Sequence, residues 1–225
     1  MADGRVERGN QTRRAVLERT MGIASVDGLE GLSLGKIASE LGLSKSGVFA
    51  LFGSKEELQL ATVRAAVDVF VDEVVRPVRE EPAGVEKVWR LCRHWLAYSG
   101  GRVFPGGCFF YSVSAEFDAR PGPVRDEIVK VRDSWTRYVE RVLDEARLAG
   151  GFRAGVDTDA DVVPQLAFEM IALMDLANAE AVLHDDVAPY VRAGRGILDR
   201  LKAVAAAPER LPERPPTAAD FVIPS

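Results

Sequence analysis

Cysteine is scarce: Cys92 and Cys108 are the only two in 225 residues, and neither lies in a Cys-x-x-Cys pair or beside histidines at metal-ligand spacing. A disulfide framework and a structural zinc site are therefore not expected, and nothing in the chain implies a metal or a cofactor. No apolar run reaches the roughly eighteen residues needed to span a bilayer. The start, Met1-Ala2-Asp3-Gly4-Arg5, leads into polar residues rather than the apolar core of a secretory signal, so the chain reads as cytoplasmic and without membrane contact. Runs of alternating β-branched residues are rare, and apolar residues instead recur at three- and four-residue spacing, which predicts an all-α fold. Lysine and arginine are missing altogether from Ala154 to Val191. That end of the chain would be repelled by a polyanion.

The rest is ordinary globular material. The chain is 47% hydrophobic and 28% charged, enough to build a packed core and far from the composition of disordered chains. A net charge of −5 argues at first against nucleic acid, yet Arg5, Arg8, Arg13, Arg14 and Arg19 crowd the N-terminus against only Asp3, Glu7 and Glu18.

Start and stop signals divide the chain into about nine helices. The first runs from about Gln11 to Asp27, with Val16, Leu17, Met21, Ile23 and Ala24 as its inner face and Gly28 and Gly31 ending it. Ser33 caps a short helix reaching Leu41, and Ser44 caps another reaching about Phe52. Ser54-Lys55-Glu56-Glu57 is a capping box that opens a long helix to Val75, kinked or ended by Pro77 and Pro82. Further helices are expected over about Val85 to Tyr98, Cys108 to Phe117, Val124 to Ala149, Thr158 to Leu183 and Val187 to Ala206. The Pro-rich remainder, from Pro208 to Ser225, is expected to be disordered. The organisation this implies is a flexible basic arm over residues 1–10, a three-helix bundle over 11–54, a larger helical domain over 55–206 and a tail over 207–225.

Ser33 to Phe52 is the informative stretch. Two helices joined by a three- or four-residue turn need a small residue where they cross, here Ala38, and one that tolerates left-handed geometry in the turn, here Gly42. Ile37, Leu41, Leu43, Val48 and Phe52 then supply a shared core. Such a pattern is either merely two short packed helices or a helix-turn-helix, and in the second reading Lys45 to Phe52 is the helix that enters the major groove. Lys45, Ser46 and Gly47 at its start would face base edges, where Lys45 can donate to guanine acceptors. Ser33 and Ser44, at helix N-termini, suit phosphates, and Lys36 and Lys55 would add phosphate contacts.

At this point the chain resembles the TetR family of repressors. The resemblance covers about Arg14 to Ala61 and rests on Gly31-Leu32-Ser33-Leu34, Ile37-Ala38, Leu41-Gly42-Leu43-Ser44-Lys45, Phe52 and Gly53-Ser54-Lys55-Glu56-Glu57-Leu58. Two positions depart from it. Where the family commonly places an aromatic, often tyrosine, and two residues later a histidine or tyrosine that touch the DNA backbone, this chain has Phe49 and Leu51. Neither side chain can donate a hydrogen bond, a loss of about 1 kcal/mol per contact. Phe49 nevertheless stays in the DNA-facing set.

The resemblance implies a homodimer paired through the last two helices, an effector pocket enclosed by the middle ones, and a repressor released from a palindromic operator by the effector. The helix starting at Lys55 would carry the shift between two spacings of the reading heads. Gln165 to Leu183 is apolar on more than one face, as a helix buried on two sides must be. Ile197, Leu198, Leu201 and Val204 are expected to complete the dimer interface with it. Aromatic residues concentrate in the middle of the chain. Cys92, Trp95, Phe109, Tyr111, Ser112, Trp135 and Met174 are the candidate pocket lining, suited to a small apolar or aromatic effector. An enzyme is the rival class, but Cys92 and His94, two apart on a helix, do not face each other. His184 with Asp185 and Asp186, and Glu116 with Asp118, form no recognised catalytic pattern, so no catalytic residue is expected. A third alternative, a ligand-sensing adaptor that has lost DNA binding, draws only on Phe49, Leu51 and the acidic net charge.

Overall fold

The computed structural model describes residues 3–221, the side chains of 3–6 and 8 excepted. Nine α-helices occur among them: α1 Asp3–Asp27, α2 Leu34–Glu40, α3 Lys45–Phe52, α4 Lys55–Phe70, α5 Val85–Gly100, α6 Phe109–Phe117, α7 Pro123–Leu148, α8 Val162–His184 and α9 Ala188–Val204. The only extended pairing among the described residues is an isolated antiparallel bridge between Phe152 and Ala205. The fold is all-α, as the apolar spacing predicts.

The chain forms two compact units. One comprises residues up to Val69 together with Phe104–Val131, the other Phe70–Val103 together with the chain from Arg132 on. The division expected at residue 54 is therefore not the one that compactness draws, because α6 packs on α1 rather than staying with the later helices. Three hydrogen bonds hold this region together. Glu116 of α6 accepts from the backbone amides of Leu29 (2.7 Å) and Glu30 (2.9 Å), and the Gly106 amide donates to the Ser25 hydroxyl at 3.1 Å. Gly28, with φ +77°, makes the first of these possible, since a Cβ there would sit 2.6 Å from a Glu116 oxygen. A buried hydroxyl pair, Thr20 and Thr62 at 2.9 Å, joins α1 to α4, and Val16 and Ala24 of α1 and Leu58 and Val63 of α4 are buried.

In the second unit α5, α8 and α9 pack together. Trp95, Leu96, Leu166, Met170, Ile197 and Leu201 form its centre. A buried polar chain pins the three helices: Ser99 of α5 donates to Asn178 of α8 and pairs with the Tyr190 hydroxyl of α9, each at 2.8 Å. Phe70 sets its edge against Tyr98 and Trp135, with ring centroids 5.4 and 5.0 Å away.

Four expectations are corrected. α1 begins at Asp3 rather than Gln11, so most of the residues assigned to a flexible arm are helical. The long helix from Lys55 loses α geometry after Phe70, passing through a wider turn over Val71–Val75 and a tighter one over Arg76–Val78, where Pro77 denies an amide to the ladder. α8 starts at Val162 rather than near Thr158. Asp157 and Asp159 accept from the amides of Gly155 and Asp161, so aspartate turns compete with the helix there.

The fourth correction is the tail, which is ordered as far as Phe221. Leu211 and Phe221 are buried, Pro216 packs on Gly194 of α9, and Phe221 lies 6.0 Å from the Tyr190 ring. Arg210 pairs with Glu86 at 2.6 Å. Residues 222–225 lie outside the described part.

Candidate nucleic-acid interface

α2 and α3 are built as their caps dictate. Ser33 has extended backbone, and its hydroxyl accepts from the Lys36 amide at 3.5 Å. After α2 the turn closes through the Leu43 amide on the Ala38 carbonyl at 2.8 Å, with Gly42 at φ +64°. Ser44 starts α3, its hydroxyl accepting from the Gly47 amide at 3.0 Å and lying 3.2 Å from the Ser46 hydroxyl. Ile37, Ala38, Val48 and Phe52 are buried between the helices, whereas Leu41 and Leu43 are only half-buried. Ser54 caps α4 by accepting from the Glu57 amide at 3.0 Å, the hydroxyl half of the expected box.

The outer face of α3 lies open to solvent. Lys45, Ser46, Gly47 and Phe49 are all exposed, and Phe49, one turn beyond Lys45, leaves 52% of its surface in water. Phe52, the other aromatic residue of the helix, is by contrast buried. Lys36 and Ser33 are exposed as well.

Several basic residues are already committed. Lys55 donates to the Glu30 carbonyl at 2.7 Å and pairs with the Glu30 carboxylate at 3.0 Å. Gln59 also donates to Glu30 and to the Leu29 carbonyl, both at 3.0 Å. These bonds hold the Glu30 carboxyl below its ordinary range, Gln59 first and Lys55 second. Arg13 is structural: it donates to the Leu51 carbonyl at 2.9 Å and lies 4.4 Å over the Phe52 ring, tying α1 to α3. Arg19 pairs with Glu40 at 2.5 Å. The exposed side chain of Arg14 remains, and those of Arg5 and Arg8 lie outside the described ones. Sequence reasoning missed the Arg13 and Glu116 roles because each depends on a partner more than thirty residues away.

The seven candidate pocket residues are not gathered into one unit. Phe109, Tyr111 and Ser112 belong to the first and Cys92, Trp95, Trp135 and Met174 to the second. Cys92 is fully buried, its thiol pushed up to about 12 by burial, with its sulfur 4.0 Å from that of Met170. That is a packing cysteine, not a nucleophile. Glu116 is a cap for the 28–30 loop, and His184 faces Glu180 at an exposed helix end. Among the described residues no cluster of His, Cys, Asp and Glu could hold a metal, and no helix is long and apolar enough to cross a membrane.

Fold and helix-turn-helix together define a class: helix-turn-helix DNA-binding regulators with a helical C-terminal part. Residues 16–62 match the family described as "Bacterial regulatory proteins, tetR family", and residues 84–197 match "Tetracyclin repressor-like, C-terminal domain". The chain belongs to the TetR family and is a DNA-binding transcriptional regulator of that non-enzymatic class. No curated protein sequence matches it.

Among solved structures it is similar to a TetR transcriptional regulator from Chloroflexus aurantiacus. That match has 23% identity and a TM-score of 0.79, covering 88% of this chain and 98% of the other. A TetR-family regulator from Cytophaga hutchinsonii has 22% identity and a TM-score of 0.76, with 88% and 97% covered. AibR, solved with isovaleryl coenzyme A and operator DNA, has 21% identity and a TM-score of 0.60, with 74% and 85% covered.

Proposed function

We propose that the protein is a homodimeric repressor that reads an inverted-repeat operator with α3 and releases it when a small molecule binds. The observation that carries this is the outer face of α3, where Lys45, Ser46, Gly47 and Phe49 are exposed above a fully built helix-turn-helix. Lys45 donates to guanine acceptors, and Phe49 takes the place of the expected hydrogen-bonding aromatic by packing on thymine methyl groups. Ser33, Ser44 and Lys36 position the module on phosphates. Lys55 joins them by exchanging part of its pairing with Glu30. DNA binding is assigned to residues 11–54, and effector binding and dimerisation to residues 55–206.

Dimerisation is supported by α8. Phe168, Leu176 and Leu183 are 70%, 60% and 74% exposed, with Ala172 exposed between them, along one side of the helix. The other side, Leu166, Met170 and Met174, is buried inside the protomer. Ile197, Leu198, Leu201 and Val204, expected in the interface, are instead buried in the protomer. The contribution of α9 to the dimer is therefore its polar outer side, Arg192, Arg195, Asp199 and Arg200. The proposed effector contacts form two separate sets, Cys92, Trp95, Trp135 and Met174 in the second unit and Phe109, Tyr111 and Ser112 in the first, each suited to an apolar or aromatic ligand. AibR, on the same fold, was solved with both an acyl-coenzyme A and operator DNA.

The test is selection of bound genomic fragments by the purified protein and by a Lys45→Ala, Phe49→Ala variant at low and high salt. The expected result is enrichment of one inverted repeat, weakened by salt and lost in the variant. Enrichment of nothing at low salt, by a protein whose fold is intact, would overturn this reading in favour of the adaptor.

A further inference from the structure

The second unit contains a cleft of about 390 Å³ between the segment after α4, the start of α5 and the second half of α7. It shares no residue with the proposed effector contacts. Its apolar wall is Val75 and Val142, and its aromatic wall is Tyr138, stacked on Trp135 with 17° between the rings. Three cations face it, Arg79, Lys87 and Arg141, against one carboxylate, Glu145.

The burial of Lys87 is the unusual feature. Its side chain is only 9% exposed, and its ammonium donates to the Arg79 carbonyl at 3.3 Å and lies 3.5 Å from Glu145. Lysine is rarely enclosed in this way unless paired. Here the pairing uses up the only carboxylate in the cleft, which Arg141 also approaches at 3.7 Å. Arg141 in addition covers the Tyr138 ring at 4.9 Å. The Tyr138 hydroxyl feels Arg141, Arg79 and Glu145 together, while its burial raises its pKa. The cleft thus keeps an excess of two positive charges beside an apolar and aromatic wall, with a volume in the usual range of ligand pockets.

We infer that this cleft binds a small organic anion, its carboxylate or phosphate head between Arg79 and Arg141 and its apolar or planar body against Val75, Val142 and Tyr138. A guanidinium fork is suited to two-point recognition of either head group. The inference stands apart from DNA binding, since the cleft lies wholly in the second unit.

Calorimetric titration of the full-length protein without DNA tests it. The ligands are benzoate, hexanoate and phenyl phosphate, each against a neutral counterpart: benzamide, hexanamide and phenol. Saturable binding of at least one anion is expected, roughly tenfold tighter than its neutral partner, as loss of one charge-assisted contact would give. Arg79→Gln and Arg141→Gln, both exposed and safe for folding, should each weaken it by a similar factor, and Trp135 fluorescence should follow the titration. Benzoate and hexanoate against phenyl phosphate decide which head group the arginines prefer. No saturable binding by any anion at millimolar concentration, equal binding of the neutral compounds, or unchanged affinity in both arginine variants would overturn the inference.

Discussion

Glu116 shows how one side chain holds the reading head together. Its carboxylate accepts from two consecutive loop amides, Leu29 and Glu30, just beyond the end of α1. Removing it in Glu116→Ala should destabilise the protein by about 2 kcal/mol, while Glu116→Gln, which keeps one acceptor, should lose less. Denaturant unfolding of the two variants beside the wild type measures the difference, and equal losses would mean the amides find other partners.

Glu30 makes a prediction of opposite character, in pH. Its carboxyl is held low by Gln59 and Lys55, so the stability it adds is present above the unfolded value of about 4.3 and is lost as the pH falls through the folded value. Melting curves of wild type and Glu30→Gln should differ near neutrality and converge as the pH falls through the lowered folded value. Gly42 is the third residue of this kind. At φ +64° with open space around it, Gly42→Ala meets no clash and costs only the left-handed strain, about 1 kcal/mol, read by the same unfolding experiment.

Among the elements, α2 and α3 were legible in the sequence because their signals are local. A capping serine, a turn glycine and a small residue at the crossing act within a few residues of one another, and each does what its chemistry predicts. The tail was not legible. Its prolines and charges suggest disorder, yet Leu211, Pro216 and Phe221 are spaced so that each reaches a groove built by distant helices. α9 misled in the same way: its apolar residues announce burial but cannot say whether the covering surface belongs to the same protomer or to a second copy. The pocket residues suffer from this most, because seven aromatic, sulfur and hydroxyl side chains carry no local signature of a cavity. Deleting residues 207–225 should remove the burial of Leu211 and Phe221, about 2–4 kcal/mol. That predicts a melting temperature lower by several degrees. An unchanged melt would mean that the tail does not hold α9.

Reading an inverted repeat takes two copies of the molecule. A single module contacts a few base pairs, whereas two related by a twofold axis read a repeat with half-sites about one DNA turn or a multiple apart. The exposed stripe of α8 is the surface assigned to that pairing, and a charge within it is intolerable once buried. Leu176→Glu should therefore yield a folded monomer in sedimentation, with operator affinity reduced to that of one half-site. A variant that stays dimeric would move the interface elsewhere.

The decisive measurement is a base-resolution footprint of the protein on the repeat that it enriches, with wild type and Lys45→Ala side by side. Two protected major-groove segments are expected on one face of the DNA, both losing protection when Lys45 is removed. A single protected segment, or a footprint that Lys45→Ala leaves unchanged, would contradict the proposed reading of the repeat by α3.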